Sequence, residues 1–307
     1  MSRSIKDYII ISLKGMSMGA ADVVPGVSGG TIAFISGIYE ELLTSISSFN
    51  LGLIGVLRKE GIKAVWNKVN GNFLLALFIG IAISIVSLAK AIKWLLENEP
   101  VLLWSFFFGL VLASIIYIAK QITNWNGVTI LYSILGIAFG YAITVIPSVS
   151  SQEANLLFLF FAGAIASCAM ILPGISGSYI LLLMGAYATV MTAVTDRDLV
   201  VIAVVAVGVI VGLLSFSRVL KWLFSKYKNI MLAALMGIMI GSINKIWPWK
   251  ETVTTYTDRH GEVKPLLEKS ILPGSYEGDP QIMMAVVLAV AGFALIFLLE
   301  RLAREKN

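Results

Sequence analysis

Two uncharged, glycine-rich runs interrupt long apolar stretches, one in each half of the chain. They read VPGVSGGT at positions 24–31 and LPGISGSY at positions 172–179. Proline removes a backbone donor, and glycine tolerates dihedral angles that a helix does not use. At membrane depth, such broken backbone survives only inside protein or beside a water-filled cavity. Paired breaks in two halves therefore predict the binding site of a transporter.

The remainder of the chain has the composition of a membrane protein. Hydrophobic residues make up 58% and charged residues 13% of its 307 positions, against averages of about 45–50% and 25% in soluble domains. A membrane-crossing helix needs about 20 apolar residues. Uncharged runs of that kind cover positions 69–89, 100–119, 127–147, 199–217 and 281–299, with a shorter one at 229–244. We predict an all-α integral membrane protein that forms one transmembrane domain over residues 1–307.

Cysteine, histidine and net charge exclude several classes of function. The lone Cys168 rules out an intrachain disulfide, and the single His260 rules out a histidine cluster. Because the chain also lacks phosphate-loop, dinucleotide and calcium-loop motifs, we expect no cofactor and no metal site. The net charge of +5 reflects orientation in the membrane, and we expect no nucleic-acid partner.

The distribution of basic residues predicts the orientation. If each glycine-rich segment is a hairpin that returns to its starting side, one side carries fifteen of the 23 lysine and arginine residues. Positive charge accumulates on the cytoplasmic side. We therefore expect a multi-pass membrane protein with both termini in the cytoplasm.

The two halves are related by an internal repeat. Residues from Gly15 to Thr44 recur from Gly163 to Thr192 at an offset of 148, and residues from Gly80 to Ile115 recur from Gly208 to Ile243 at an offset of 128. One insertion between the hairpin and the next helix explains the change of offset. Each repeat, 1–150 and 151–307, is thus a broken hairpin followed by three transmembrane helices. Because three is odd, the repeats should be inverted relative to each other.

The hairpin tips are predicted to bind an anion. Free amides and the positive dipole end at a helix N-terminus attract negative charge, and we expect helices to begin near Thr31 and Tyr179. Pro25 and Pro173 would be the structural helix breaks. The predicted substrate-binding residues are Gly26, Ser28, Gly29, Gly30 and Thr31, then Gly174, Ser176, Gly177 and Ser178, and the basic pairs Lys90 with Lys93 and Arg218 with Lys221. Two alternatives remain: glycines that only permit close helix packing, and basic pairs that only anchor helix ends.

Asp22 is the candidate for proton coupling. It is the only charged residue between Gly15 and Tyr39, and an acid within the membrane is functional by default. A neutral hydrogen-bonded carboxyl and an ion pair with Lys14 are the alternatives. Met170 stands at the corresponding position of the second repeat, so the role of Asp22 is not symmetric.

The two motifs resemble those of a known family. GMSMGAADVVPGVSGGTIAFISGIYEELL and LPGISGSYILLLMGAY are similar to the PopT-like polyprenyl-phosphate transporters, formerly a domain of unknown function, and the resemblance covers essentially the whole chain. It implies a bacterial inner-membrane protein that returns undecaprenyl phosphate, or a related anionic prenyl lipid, from the outer to the inner leaflet. Inward movement of negative charge opposes the membrane potential by about 2.3 kcal/mol per charge per 100 mV, which favours proton coupling.

Two other classes of protein share features with this sequence. A small-anion channel or exchanger would use the same helix ends. Residues 26–30 also match the G-x-S-x-G motif of serine hydrolases, but such a serine needs an adjacent base, and His260 lies in a polar loop. We therefore expect no enzyme. The segment 248–280 is expected to be a plain connector, with a cap over the outer mouth as the alternative.

Overall fold

The computed structural model describes residues 3–24, 27–146, 155–257 and 263–304. Within these residues the chain is mostly helical, with one pair of strands. The described part of the first half contains seven helices. They are α1 (Ile5–Val23), α2 (Gly29–Ile35), α3 (Tyr39–Ser47), α4 (Gly52–Lys68), α5 (Gly71–Asn98), α6 (Pro100–Gln121) and α7 (Gly127–Val145).

The described part of the second half contains five helices and the strands. They are α8 (Leu156–Ile171), α9 (Gly177–Leu183), α10 (Tyr187–Asp196), α11 (Leu199–Ser242), β1 (Lys250–Thr257), β2 (Val263–Ser270) and α12 (Ile282–Arg304). A short 3-10 turn, Ile243–Ile246, follows α11. Tyr227 interrupts α11 with non-helical angles (φ −132°, ψ 46°), so this long helix consists of two segments.

The two halves place equivalent elements in the same order. The starts of α2 and α9 differ by 148 residues, and those of α5 and α11 by 128. The kink at Tyr227 corresponds to Glu99, which separates α5 from α6 and has nearly the same angles (φ −134°, ψ 51°). Helix α4 lies where the first half has extra residues, so it is the insertion that changes the offset.

Glycines bring equivalent helices together in both halves. A methyl group at Gly15 on α1 would collide with the carbonyl oxygen of Leu77 on α5, and one at Gly163 on α8 would lie 2.7 Å from that of Val205 on α11. Small residues allow this close approach of apolar helices. The first half of the chain therefore packs α1 on α5 as the second half packs α8 on α11.

The later helices pack across the two halves. Gly109 on α6 contacts the backbone of Ala289 on α12, while the equivalent Gly237 on α11 contacts the backbone of Ser133 on α7. The last helix of each half therefore packs on a helix of the other half: α7 packs on α11, and α12 packs on α6. This exchange joins the halves into one helical body.

The helices have the lengths expected of a membrane protein. Four helices among the described residues are long and apolar enough to cross a membrane, or five if the bent pair α9 and α10 counts as one span. The angle within that pair is 110°. Helices α2 and α9 have seven residues each, about 10 Å, so neither crosses a membrane alone. Each hairpin therefore has one longer arm, α1 or α8, and one arm that is divided into two short helices.

The segment expected to be a plain connector differs from that expectation. Within 248–280, β1 pairs with β2 as an antiparallel hairpin in which Lys250 lies opposite Ser270, so the chain is not entirely α-helical. The sequence KETVTTYT of β1 is rich in β-branched residues, which favour strands. Indole N–H groups fasten the hairpin: that of Trp247 donates to the Ile271 carbonyl at 2.8 Å, and that of Trp249 to the Pro280 carbonyl at 2.9 Å.

Candidate functional site

The two glycine-rich tips are in direct contact. The Ser28 hydroxyl donates to the carbonyl oxygen of Met170 at 3.1 Å and lies 3.3 Å from that of Leu172. In return, the Gly174 amide donates to the Thr31 hydroxyl oxygen at 3.1 Å. Ser28 and Thr31 are 2% and 1% exposed. The structure thus brings both predicted tips together at one buried contact.

Internal groups occupy the start of α2 in the first tip. The Gly29 amide donates to Asp22 Oδ1 at 2.7 Å, and the Gly30 amide donates to Ser28 Oγ at 3.1 Å. The glycines allow this arrangement: a methyl group would lie 2.5 Å from Asp22 Oδ2 at Gly29 and 2.6 Å from the Ile171 carbonyl oxygen at Gly30. Asp22 therefore caps α2, and its role in proton coupling stays a prediction.

The second tip has a different arrangement of polar groups. Gly174 has φ +87°, a conformation that favours glycine. Ser176 precedes α9 but makes no side-chain hydrogen bond to its amides, and its hydroxyl lies 2.9 Å from that of the exposed Ser178. The side chain of Met170 contacts Gly177, in the place where Asp22 contacts Gly29. Pro173 is buried beside this turn, whereas Pro25 and Gly26 lie outside the described residues.

Both basic pairs lie on the surface of the helical body. Lys90 and Lys221 are exposed. Lys93 forms an ion pair with Glu97 at 3.5 Å, and Arg218 donates to the carbonyl of Phe49 at 2.5 Å. No hydrogen bond within the described ranges joins these four residues to either tip. Their positions agree with the alternative in which they anchor helix ends, and substrate binding by them stays a prediction.

Two surface ion pairs connect distant segments of the chain at one face of the protein. Arg3 contacts Glu41, and Lys228 contacts Glu40, each at 2.7 Å. Hydrogen bonding to Glu41 raises the pKa of Arg3. The start of α1, the start of α3 and the middle of α11 therefore share this face, as expected if they lie on the same side of a membrane.

A polar cleft lies between the second hairpin and the β-hairpin. Its walls are the end of α7, one side of α9, the 3-10 turn after α11, and facing residues of β1 and β2. The residues that line it are Thr144, Ile146, Tyr179, Leu182, Leu183, Asn244, Lys245, Lys250, Glu268 and Ser270. We call this the outer cleft, because the predicted orientation places the segment 248–280 on the outer side. Tyr179 belongs to the first turn of α9, so the outer cleft begins one helical turn from the second tip.

Two lysines and one carboxylate dominate the outer cleft. The Lys250 side chain is 8% exposed, and its ammonium lies 3.7 Å from Glu268 Oε2 and 3.8 Å from the centre of the Trp104 ring. The Lys245 ammonium lies 4.5 Å from the centre of the Tyr179 ring. Burial lowers the pKa of Lys250 to about 8, with Lys245 adding to the effect and Glu268 opposing it.

The sequence analysis did not single out these charged residues. Lys245 and Lys250 flank a Trp-Pro-Trp sequence, and Glu268 lies 18 positions after Lys250. Their spacing matches no motif. Glu268 lies beside Lys250 only because β1 pairs with β2. To find these residues from the sequence, one would have had to predict a β-hairpin in the segment that we expected to be a plain connector.

Comparisons with known proteins identify similar chains. A family model described as "undecaprenyl phosphate translocase-like" matches residues 18–264. A polyprenyl-phosphate transporter of Vibrio cholerae is 46% identical over 309 aligned residues, covering 99% of this chain and 100% of that protein. A polyprenyl-phosphate transporter of Staphylococcus aureus is 32% identical over 253 residues, covering 77% and 85%. No solved structure matches.

These names and the geometry of Ser28 agree with the expectation that the chain is not an enzyme. Both relatives are named transporters. The Ser28 hydroxyl donates to a backbone carbonyl and accepts from the Gly30 amide, whereas a nucleophilic serine donates to a base.

Proposed function

The chain belongs to the undecaprenyl phosphate translocase-like family, and we propose that it returns undecaprenyl phosphate, or a closely related polyprenyl phosphate, from the outer to the inner leaflet of the bacterial inner membrane. It is a multi-pass membrane protein. We further propose that both termini are cytoplasmic, so that the outer cleft faces the periplasm or the cell exterior.

The contact between the tips is the observation on which this proposal rests. A phosphate monoester carries about −1.5 to −2 charges at neutral pH, and moving it unpaired through hydrocarbon is prohibitive. Separation of the tips would release the Ser28 hydroxyl from the Met170 carbonyl, and the Thr31 hydroxyl from the Gly174 amide. These groups can then replace the water of the phosphate, while the prenyl tail stays in lipid.

An inverted relation between the repeats would allow either tip to open. The paired contacts of Gly15 with Leu77 and of Gly163 with Val205 support equivalent hairpins. We propose that the first hairpin opens towards the cytoplasm and the second towards the outer surface. The tips, which are in contact in the structure, would then close the path between the two sides, and alternating movement of the hairpins would carry the head group past them.

We propose that a proton accompanies the lipid and that Asp22 carries it. The membrane potential opposes inward movement of the phosphate. The carboxylate of Asp22 accepts from the Gly29 amide at 2.7 Å, so a change in its protonation acts directly on the first tip. Asp22→Asn keeps an acceptor at this position but cannot take up a proton.

Reconstitution tests the transport proposal. The wild-type chain in liposomes should accelerate the movement of a fluorescent short-chain prenyl phosphate between leaflets. Ser28→Leu combined with Ser176→Leu should abolish that movement because both tips are obstructed. The matched control is Ser87→Leu with Ser215→Leu, two exposed serines at equivalent positions of α5 and α11, which should transport normally.

The transport test also needs measurements of folding and of substrate selectivity. Thermal unfolding checks that both double variants are folded. Wild-type rates in the tip variant would show that the tips only pack, and halide flux with no preference for prenyl phosphate would support a small-anion channel instead.

A separate measurement tests the role of Asp22. Transport by Asp22→Asn should lose its response to an imposed pH gradient. Asp198→Asn is the control, because Asp198 also caps a helix through its side chain but lies outside the tips. Full dependence on the gradient in Asp22→Asn would contradict proton coupling through this residue.

A further inference from the structure

The outer cleft contains a buried cation whose hydrogen-bonding capacity is unused. Lys250 Nζ has no hydrogen-bond partner among the described residues, although an ammonium carries three donors. Its distance of 3.7 Å from Glu268 Oε2 permits attraction but is too long for a hydrogen bond. A buried charge is destabilising unless it is paired and hydrogen-bonded. The site is therefore incomplete without a further acceptor.

The charges of the cleft indicate what kind of acceptor is missing. Lys245 and Lys250 supply two positive charges, and Glu268 supplies one negative charge, so the cleft has an excess of positive charge when both lysines are protonated. Trp104 and Tyr179 cover the two ammonium groups from the side. Attraction of a cation to aromatic rings is weak compared with an ion pair. An anion with several oxygen atoms would satisfy both lysines.

Polar side chains around the lysines are held in fixed positions. The Ser270 hydroxyl donates to the side-chain oxygen of Asn244, and the Asn244 amide lies 3.5 Å from the Thr144 hydroxyl. The Tyr179 hydroxyl donates to the carbonyl of Ile143 at 3.3 Å. These contacts join the β-hairpin, α7 and α9 around the cleft, so that its donors are oriented before a ligand arrives.

We infer that the outer cleft binds a phosphate monoester through Lys245 and Lys250, with Glu268 as the carboxylate that repels the ligand and speeds its release. This inference rests on the proposed function, for which the ligand is the head group of the prenyl phosphate as it enters from the outer leaflet. Free inorganic phosphate has the same chemistry. The position of Tyr179, within the first turn of α9, places the bound phosphate beside the second tip, where translocation begins.

The test is direct binding to the full chain in lipid nanodiscs. Radiolabelled farnesyl phosphate and inorganic phosphate are the two probes, and unlabelled farnesol is a competitor that lacks the phosphate. Lys250→Gln should weaken binding of farnesyl phosphate by about tenfold, the effect of losing one charge-assisted contact. Glu268→Gln should strengthen it by roughly threefold to tenfold, because a nearby negative charge is removed. The control is Lys269→Gln, an exposed lysine of the same β-hairpin, which should bind as the wild type does.

The opposite effects that we expect for Lys250→Gln and Glu268→Gln distinguish a binding site from a structural ion pair. If Lys250 and Glu268 only hold the β-hairpin in place, both substitutions weaken binding, and the inference is wrong. Thermal unfolding of each variant checks folding. Should Lys250→Gln fail to fold, Glu268→Gln and Lys245→Gln still decide the matter by strengthening and weakening binding.

The two probes distinguish the source of the phosphate. Tighter binding of farnesyl phosphate than of inorganic phosphate, with the same dependence on Lys250, identifies a lipid head-group site. Equal binding identifies a free-phosphate site, and either result supports the inference. Wild-type binding by Lys250→Gln, in a chain that still moves the lipid, overturns the cleft inference but not the proposed function. A wild-type chain that neither binds nor moves prenyl phosphate refutes the proposed function itself.

Discussion

The two hairpin tips lead into helices of equal length, α2 and α9, but differ in polarity at one position. In the first tip, the carboxylate of Asp22 faces Gly29, whereas in the second tip the thioether side chain of Met170 faces Gly177. Asp22 and Ser28 engage the first amides of α2. In the second tip, Ser176 leaves the amides of α9 without a side-chain cap.

Under the proposed function, this difference would divide the tasks of binding and coupling between the halves. The first tip contains its own negative group and so has less capacity to attract another. The second tip has none at the equivalent position, and the cations Lys245 and Lys250 lie in the cleft next to it. A repeat can therefore conserve the geometry needed for movement while its two tips differ in chemistry.

The largest expected effect compares Gly30 with Ser178, which is its equivalent at an offset of 148. A side chain at Gly30 collides with the Ile171 carbonyl, whereas Ser178 is exposed. Gly30→Val should lower the free energy of unfolding by about 1–3 kcal/mol through overpacking and abolish transport. Ser178→Val should leave the unfolding temperature unchanged. Thermal unfolding and liposome transport measure both, and equal stability of the two variants would mean that the tips do not touch as described.

The next comparison concerns the paired positions Asp22 and Met170. Asp22→Ala leaves the Gly29 amide without its acceptor, which should destabilise the protein by about 1–3 kcal/mol. Met170→Ala should have a smaller effect because that side chain is 47% exposed. Asp22→Asn should restore most of the stability lost in Asp22→Ala, as measured by thermal unfolding in the same detergent. Equal losses in the alanine and asparagine variants would show that charge, not capping, stabilises the first tip.

A third pair, Thr31 and Tyr179, separates contact between the tips from contact with α7. Thr31→Val removes the acceptor of the Gly174 amide with little change of shape, so we expect a loss of about 1 kcal/mol. Tyr179→Phe loses longer hydrogen bonds of 3.3 and 3.4 Å and should cost less. A double variant tests whether the two losses add, as expected for sites with separate partners. A larger loss in Tyr179→Phe would place the main support of the tips at α7.

The last comparison concerns a dependence on pH in the outer cleft. Burial lowers the pKa of Lys250 from 10.5 to about 8, and Glu268 and Lys245 are the charged groups that act on it. The folded state releases this proton at lower pH than the unfolded state, so the empty protein should gain stability as pH rises from about 8 to 10.5. Binding of farnesyl phosphate should weaken as pH rises through about 8 because Lys250 loses its charge. Lys250→Gln should lack this step, and a step of the same size in that variant would assign it to another group.

Much of the helical framework follows from local and periodic signals. The glycine-rich runs and the constant offsets predict the breaks after α1 and α8 and the extra segment that forms α4. The helices after the breaks begin at Gly29 and Gly177, two residues before the expected Thr31 and Tyr179, because the preceding serines take the N-cap positions. Such signals lie within one segment, and so they can be found without knowledge of the tertiary structure.

The outer cleft could not be predicted in this way, because segments that are distant in the sequence form it. Tyr179, Lys245 and Glu268 are adjacent only after α9, the 3-10 turn and the β-hairpin have packed together. The basic pair of Arg218 and Lys221 was easier to notice because it recurs in the repeat, yet both residues are exposed. Regular spacing therefore identified the helical framework but not the charged groups that line the outer cleft.

The rate of lipid movement between leaflets tests the central proposal most directly. Liposomes with the wild-type chain should move a fluorescent prenyl phosphate roughly tenfold or more faster than protein-free liposomes, which corresponds to at least about 1.4 kcal/mol of barrier. The corresponding prenyl alcohol should show no dependence on Ser28 and Ser176, and the phosphate should stop moving when both carry leucine. Equal rates for the phosphate in the wild-type and the Ser28→Leu, Ser176→Leu chains would contradict a path between the tips.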